Sequence, residues 1–187
     1  MYQFKPMPSP AAPLIAALRG LAFGVVALIL MPQGADAQEQ CRDDRVEIRS
    51  ENGVSRFRVE LAQTPQERAT GLMHRDSMAT GAGMFFIFQA PHSASFWMHD
   101  TLIPLDILFI DPTGRVNVIQ TGQPLDDTSL PGGPNVQYVL EINGGLSDRM
   151  GIAPGDVLRH PALDPTLAAW PCAEAPADAD DAAPAKE

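Results

Sequence analysis

The chain has 187 residues and a formal net charge of -10, from 23 acidic and 13 basic side chains. Nucleic acid and anionic lipid both need a basic patch, so this balance argues against either as a partner. The longest apolar run, residues 21–31, falls short of the roughly 20 residues a membrane-spanning helix needs.

That run reads instead as a targeting segment. Lys5 and Arg19 precede it, Pro32 breaks it, and Ala35-Asp36-Ala37 fits a small-x-small cleavage site. Residues 1–37 are therefore expected to be a cleaved signal peptide, with an uncleaved anchor as the alternative. The polar residues 38–40 before Cys41 do not form a lipobox. The mature protein is expected to be periplasmic or secreted, with no membrane insertion after cleavage. About 150 residues would remain, enough for one domain over 38–172. Cys41 and Cys172, near its two ends, are expected to pair as a disulfide in an oxidising compartment. No Cys-x-x-Cys spacing suggests redox or metal chemistry. Residues 173–187, built of Ala, Asp and Pro, read as a disordered acidic tail.

Residues 46–62 read as a β-hairpin turned by Asn52-Gly53, with Phe57, Val59 and Leu61 on one face. The period then changes. Thr64, Pro65 and Glu67 form a capping box with proline at the first helical position. The helix is expected from Pro65 to Met73, with Ala69, Leu72 and Met73 inward. A glycine-rich loop leads into a strand over 84–88. Residues 91–94 read as a turn, residues 95–99 as a strand, and residues 105–110 as another. Asp111 to Gly114 form a β-turn, and residues 115–120 return antiparallel. A loop rich in Pro and Gly precedes a strand over 136–142. A short helix over 146–150 follows, with Gly151 as its C-cap, and a last strand lies near Val157. Many short strands with two short helices predict a mainly β domain, a sandwich or barrel.

Four separated motifs, "TPQERATGLMHRDSM", "GMFFIF", "SFWMHDTLIPLDILFIDPTGRV" and "YVLEINGG…GIAPGD", resemble the family called domain of unknown function 192. The resemblance runs from the first hairpin to the last strand. It implies a compact single-domain β-sandwich of jelly-roll type, often exported, with no established activity. Family members often carry a Lys-Asn-type pair where this chain has His99-Asp100. A catalytic duty resting on His99 would therefore not be a family duty.

Polar residues that interrupt apolar strands mark the candidate cleft. Asp106 lies among Leu105, Ile107, Leu108 and Phe109, where an unpaired carboxylate would cost several kcal/mol. Its expected partners are Arg68, Arg75 or backbone N–H groups. Trp97, near a strand end beside Arg75 and Thr101, could floor a ligand site or simply pack. Arg75, Trp97, Thr101 and Asp106 are thus the candidate ligand-binding residues of a non-enzymatic binding or accessory module. Its partner would be a small polar ligand or a peptide. Two alternatives stand beside it. Met98 and His99, echoing Met73-His74, could bind copper, though strand alternation would part them. A hydrolase could use His99 with a carboxylate, but alternation would also part His99 from Asp100, and no nucleophile motif is present. No catalytic residue and no cofactor is expected. His92 and His160 are expected to be solvated.

Overall fold

The computed structural model describes residues 41–172. The expected signal peptide over 1–37 and acidic tail over 173–187 lie outside the described residues. Strand β1 (Arg45–Ser50) turns at Asn52-Gly53 into β2 (Gly53–Ala62), pairing antiparallel from Arg45↔Arg58 to Ser50↔Gly53. Helix α1 (Pro65–Thr70) follows with its capping box complete: Thr64 Oγ1 accepts from the Glu67 N–H at 3.2 Å, and Glu67 Oε2 accepts from the Thr64 N–H at 2.9 Å. The helix stops before the expected Met73. Gly71, at φ 49°, takes the positive dihedral that ends it. Ala69 is exposed rather than inward, and Leu72 just beyond the helix is the buried anchor.

The remaining elements are β3 (Ala82–Phe96), β4 (Leu105–Ile110), β5 (Val116–Gly122), β6 (Leu130–Asn143), α2 (Leu146–Met150) and β7 (Val157–Arg159). Two expected breaks are absent. The turn read at residues 91–94 lies inside β3, which passes through it with register shifts between Ile87, His92, Ala94 and Ser95. A proline fits there because a bulged position owes no N–H to the ladder. The Pro- and Gly-rich stretch after Ser129 likewise belongs to β6, paired with the far half of β3. A third correction concerns residues 97–99, read as strand: β3 ends at Phe96.

The seven strands form a single sheet in the order β5-β4-β6-β3-β2-β1-β7. Only β2 and β3, joined by α1, pair in parallel. The sheet curls into a half-barrel, the barrel side of the expected sandwich-or-barrel class. Its edges meet where Leu158 N–H donates to Gly114 O at 2.7 Å and Val116 N–H to Asp156 O at 2.9 Å. Alternation sorts the apolar side chains into two cores. Val46, Ile48, Phe57, Phe85, Leu108, Leu140 and Ile142 fill one; Phe86, Met98, Leu105, Ile107, Phe109 and Val139 fill the other. The second core exists because the far halves of β3 and β6 bend back over β4. Phe96 meets Phe109 edge-on at 5.6 Å, and a Cβ on Gly132 would strike the Phe109 ring. Every residue of β4 is consequently buried. Each Leu, Ile or Phe so enclosed contributes about 1.5–3 kcal/mol.

The two ends of the described span are clasped to this frame. Cys41 and Cys172 are bonded across a separation of 131 residues, with Cα atoms 5.7 Å apart. Trp170 lies over the guanidinium groups of Arg159 and Arg49, at 4.3 and 4.7 Å. Arg159 and Arg56 in turn hold the buried Glu47 carboxylate. His160 is buried rather than solvated: its Nε2 faces Asp43 O at 2.9 Å, its Nδ1 accepts from Ala162 N–H, and burial pushes its pKa down. Reducing the disulfide, or replacing both cysteines with serine, is expected to lower stability by up to about 5 kcal/mol, the loop-entropy bound for so long a loop. A urea midpoint unmoved by reductant would show that the clasp contributes nothing.

Candidate functional site

Three loops meet at one rim of the half-barrel, and main-chain hydrogen bonds tie them together. His74 N–H donates to Asp100 O at 2.8 Å, Met98 N–H to Asp126 O at 3.0 Å, and Leu125 N–H to Thr101 O at 3.0 Å. His74, Asp100 and Leu125 all adopt positive φ, so each turn is sharp. Between these turns and α1 opens a cavity of about 340 Å³. Phe86, Phe88, Phe96 and Trp97 supply its aromatic walls, Arg68, Leu72 and Met73 its α1 side, and Thr101 and Glu141 its polar floor. Gly71, which takes a positive φ, brings the end of α1 into van der Waals range of the Phe86 ring.

Glu141 is the unusual member. It lies mid-strand in β6, paired with Met84 of β3 and Ile107 of β4, and only 5 % of its surface is exposed. Among the described residues its carboxyl has no hydrogen-bond or ionic partner. Burial alone accounts for its pKa, pushed up to about 8. Among the described residues no fully enclosed side-chain oxygen or nitrogen lacks a partner, so the Glu141 oxygens open on the cavity. At neutral pH the group is a carboxylic acid, able to donate a hydrogen bond.

The sequence candidates divide. Trp97 and Thr101 both line this cavity. Trp97 is 53 % exposed, and Thr101 is buried with its hydroxyl donating to His99 O at 3.1 Å. Arg75 does not join them. It forms a two-pronged ion pair with Glu60, at 2.5 and 2.6 Å, beside a separate groove. Asp106 is fully buried on the opposite face of the sheet. Neither Arg68 nor Arg75 reaches it. Thr121 Oγ1 and Gly145 N–H donate to one carboxylate oxygen, and Ser147 N–H and Oγ donate to the other, all within 2.9 Å. Desolvation raises its pKa, but these donors, Ser147 first, outweigh it and leave the group below the ordinary carboxylate value. Asp106 fastens α2 to β4.

The pair Met98 and His99 also parts, for a different reason than strand alternation. Residues 97–101 form a turn. Met98 is buried against Gly122, where any Cβ would collide with its sulfur. His99 stands outside, stacked on Trp97 at 4.8 Å. Its Nδ1 bonds Asp127 Oδ1 at 2.8 Å, and its Nε2 lies 3.6 Å from Asp100 Oδ2. The expectation that His99 cannot meet a neighbouring carboxylate therefore fails, because the strand has ended. The Asp127 hydrogen bond, with Asp100 nearby, raises the His99 pKa and favours the imidazolium. Among the described residues no group of three or more His, Cys, Asp or Glu is arranged to hold a metal.

Glu141 is absent from the sequence candidates, and Arg68 figures there only as a partner for Asp106, not as a member of the cavity. The signal for Glu141 was present: a carboxyl inside "YVLEI" interrupts an apolar strand just as Asp106 does. Arg68 gave no such signal, because the last turn of a short helix carries basic residues for dipole reasons alone.

The two buried carboxyls respond to pH with opposite sign. Glu141 binds its proton more tightly in the folded chain, so ionisation is resisted and stability falls as pH climbs from 4.5 to about 8. The fall is at most about 1.4 kcal/mol per pH unit. Glu141→Gln is expected to match the wild type at the acid end of that window and exceed it by a few kcal/mol at the alkaline end. Parallel stability curves in urea across the window would contradict this. Asp106 stabilises above its unfolded value of 3.8 and loses that contribution as pH drops through its lower folded value. Asp106→Asn should cost about 3 kcal/mol at neutral pH, read as a lower melting temperature.

No curated protein matches the chain. A solved protein of unknown function from Novosphingobium aromaticivorans is 44 % identical, with a TM-score of 0.60 over 62 % of this chain and 83 % of that one. A protein from Sinorhizobium meliloti, named only provisionally as a transcription regulator, is 36 % identical, with a TM-score of 0.62 over 66 % of this chain and 98 % of that one. The DUF192 family model, described as Uncharacterized ACR, matches residues 46–160. That span takes in the whole curled sheet and the cavity on its rim, and the chain belongs to the DUF192 family.

Proposed function

We propose that this protein is an exported, non-enzymatic binding module, and that its ligand enters the cavity between Trp97, Thr101 and Glu141. One observation carries the reading: Glu141 is a buried carboxyl without a partner among the described residues, opening on a cavity. A buried polar group left unpaired costs about 1–3 kcal/mol, and a ligand that bonds it returns that cost. Aromatic walls with a few convergent polar groups are the usual build of small-molecule sites. An accessible Trp97 ring at the mouth adds a stacking surface.

Export is supported by the N-terminal charge-apolar-small pattern and by the bonded Cys41–Cys172 pair, which suits an oxidising compartment. The regulator name of the Sinorhizobium protein is not carried over, because a net charge of -10 opposes binding to phosphate backbones.

A second reading, acid–base catalysis, draws on the 2.8 Å contact between His99 and Asp127. It is the weaker one. The remaining His99 nitrogen faces Asp100 rather than a hydroxyl, and its raised pKa favours the cation over the base.

A fragment screen of the purified protein tests the binding reading. A compound at about 100 times its dissociation constant is expected to add about 2.7 kcal/mol of stability, seen as a raised melting temperature. Trp97→Ala, at an exposed position, should weaken that compound about tenfold or more while leaving the unliganded melting temperature near wild type. A broad screen with no hit, or hits indifferent to Trp97→Ala and Glu141→Gln alike, would remove the cavity as the site.

A further inference from the structure

The polar groups of the cavity are lopsided in charge. Arg68 is the cationic member of the lining, and Glu141 is un-ionised at neutral pH. The Arg68 guanidinium lies 4.9 Å from the Phe88 ring centroid and donates through Nη1 to the carbonyl oxygens of Gln63 and Ile87. Among the described residues no carboxylate comes within ion-pair distance of it. Its neighbour Glu67 is committed to the capping box, bonding the N–H groups of Gln63 and Thr64. A cation whose nearest acidic neighbour, Glu67, acts on it only at a distance and a carboxyl without a partner among the described residues thus share one aromatic-walled cavity.

Resting on the binding reading above, we propose that the ligand is a small organic acid with an apolar or aromatic body. Its carboxylate pairs with the Arg68 guanidinium. Its body lies against Phe86, Phe96 and Trp97. The Glu141 hydroxyl donates a hydrogen bond to one of its acceptor atoms. Each group left unmatched by the protein then has a partner, and a charge-assisted bond to Arg68 is the stronger contact. An ammonium ligand would be repelled by Arg68 and would have to ionise Glu141. A neutral sugar would stack on Trp97 and leave Arg68 without an anion.

The neighbours of Glu141 decide its pH response. β3 presents Met84 and Phe86, β4 presents Ile107, the rim turn presents Trp97 and Thr101, and the α1 side presents Leu72 and the charged Arg68. His99, Asp100 and Asp127 stand beyond Trp97 at the mouth. Ionisation of Glu141 removes its donor and places a second negative charge in the cavity that holds the ligand carboxylate, so affinity for an acid falls as pH rises through about 8.

Three probes with one body separate the classes: phenylacetate, phenylacetamide and phenethylamine, titrated into the full-length protein by calorimetry up to about 10 mM. Phenylacetate is expected to bind about tenfold tighter than either of the others. Arg68→Gln should erase that preference. The wild-type affinity for phenylacetate should drop as pH rises past 8, whereas Glu141→Gln, which keeps a neutral donor, should bind with little pH dependence. That control also separates Glu141 from His99, which the variant leaves intact. Tighter binding of phenethylamine, equal binding of acid and amide, or no binding of phenylacetate would overturn the acid assignment. In each case fragment hits that depend on Trp97 would leave the binding reading standing. Loss of those hits as well would remove both.

Discussion

The centre of this sheet is buried on both faces, and the rest of the molecule follows from that constraint. A half-barrel ordinarily keeps one face wet, and its strands alternate apolar with polar. Here the bent far halves of β3 and β6 cover the outer face of β4, so Leu105, Ile107 and Phe109 are as enclosed as Leu108 and Ile110. A polar side chain in the middle of β4 or β6 has no water to face. It must be paired, neutralised, or opened to a cavity.

Asp106 and Glu141 show two of these solutions side by side. Asp106 pairs across the ladder with Ile142 and Glu141 with Ile107, so the two residues are diagonal neighbours whose side chains leave the sheet on opposite faces. Asp106 meets the start of α2, where two N–H groups and two hydroxyls converge on its oxygens. Four donors outweigh desolvation, and the group stays ionised. Glu141 meets apolar walls and open space, nothing offsets desolvation, and it holds its proton. The same residue chemistry a few ångströms apart gives a structural anion in one place and a neutral acid in the other.

Local signals carried much of the architecture. Asn52-Gly53 marked the hairpin, Thr64-Pro65-x-Glu67 the helix start, and Gly151 the end of α2, because each motif satisfies its own backbone within a few residues. Long-range pairing was less legible. Pro91 reads as a break, yet β3 continues through it on bulges that exist only because β6 lies alongside. Conversely, apolar Trp97 and Met98 read as strand, while main-chain bonds to residues 125 and 126, far along the chain, hold them in a turn. The cavity was half visible. Trp97 and Thr101 stood out as polar or aromatic residues near a strand end, and Glu141 as a carboxyl in an apolar strand, but Arg68 acquires meaning only once it lines the same cavity as Glu141. Arg75, the plausible basic partner by sequence, is drawn away by Glu60 across the neighbouring groove.

Glu141 is hard to explain as a structural residue. A leucine there would pack against Met84 and Ile107, add buried apolar area, and remove the desolvation cost of a carboxyl. None of the described residues bonds the group, so among them it secures no register and fastens no element, unlike Asp106. Stability alone would favour its replacement, and natural sequences give up stability mainly where a site needs the chemistry. The surrounding geometry points the same way. α1 stops at a glycine with positive φ beside Phe86, the rim turns hold Trp97 outward while Met98 anchors them inward, and Arg68 is fixed by carbonyls rather than by an anion. Gly71, Trp97 and Arg68 all border the cavity on which Glu141 opens.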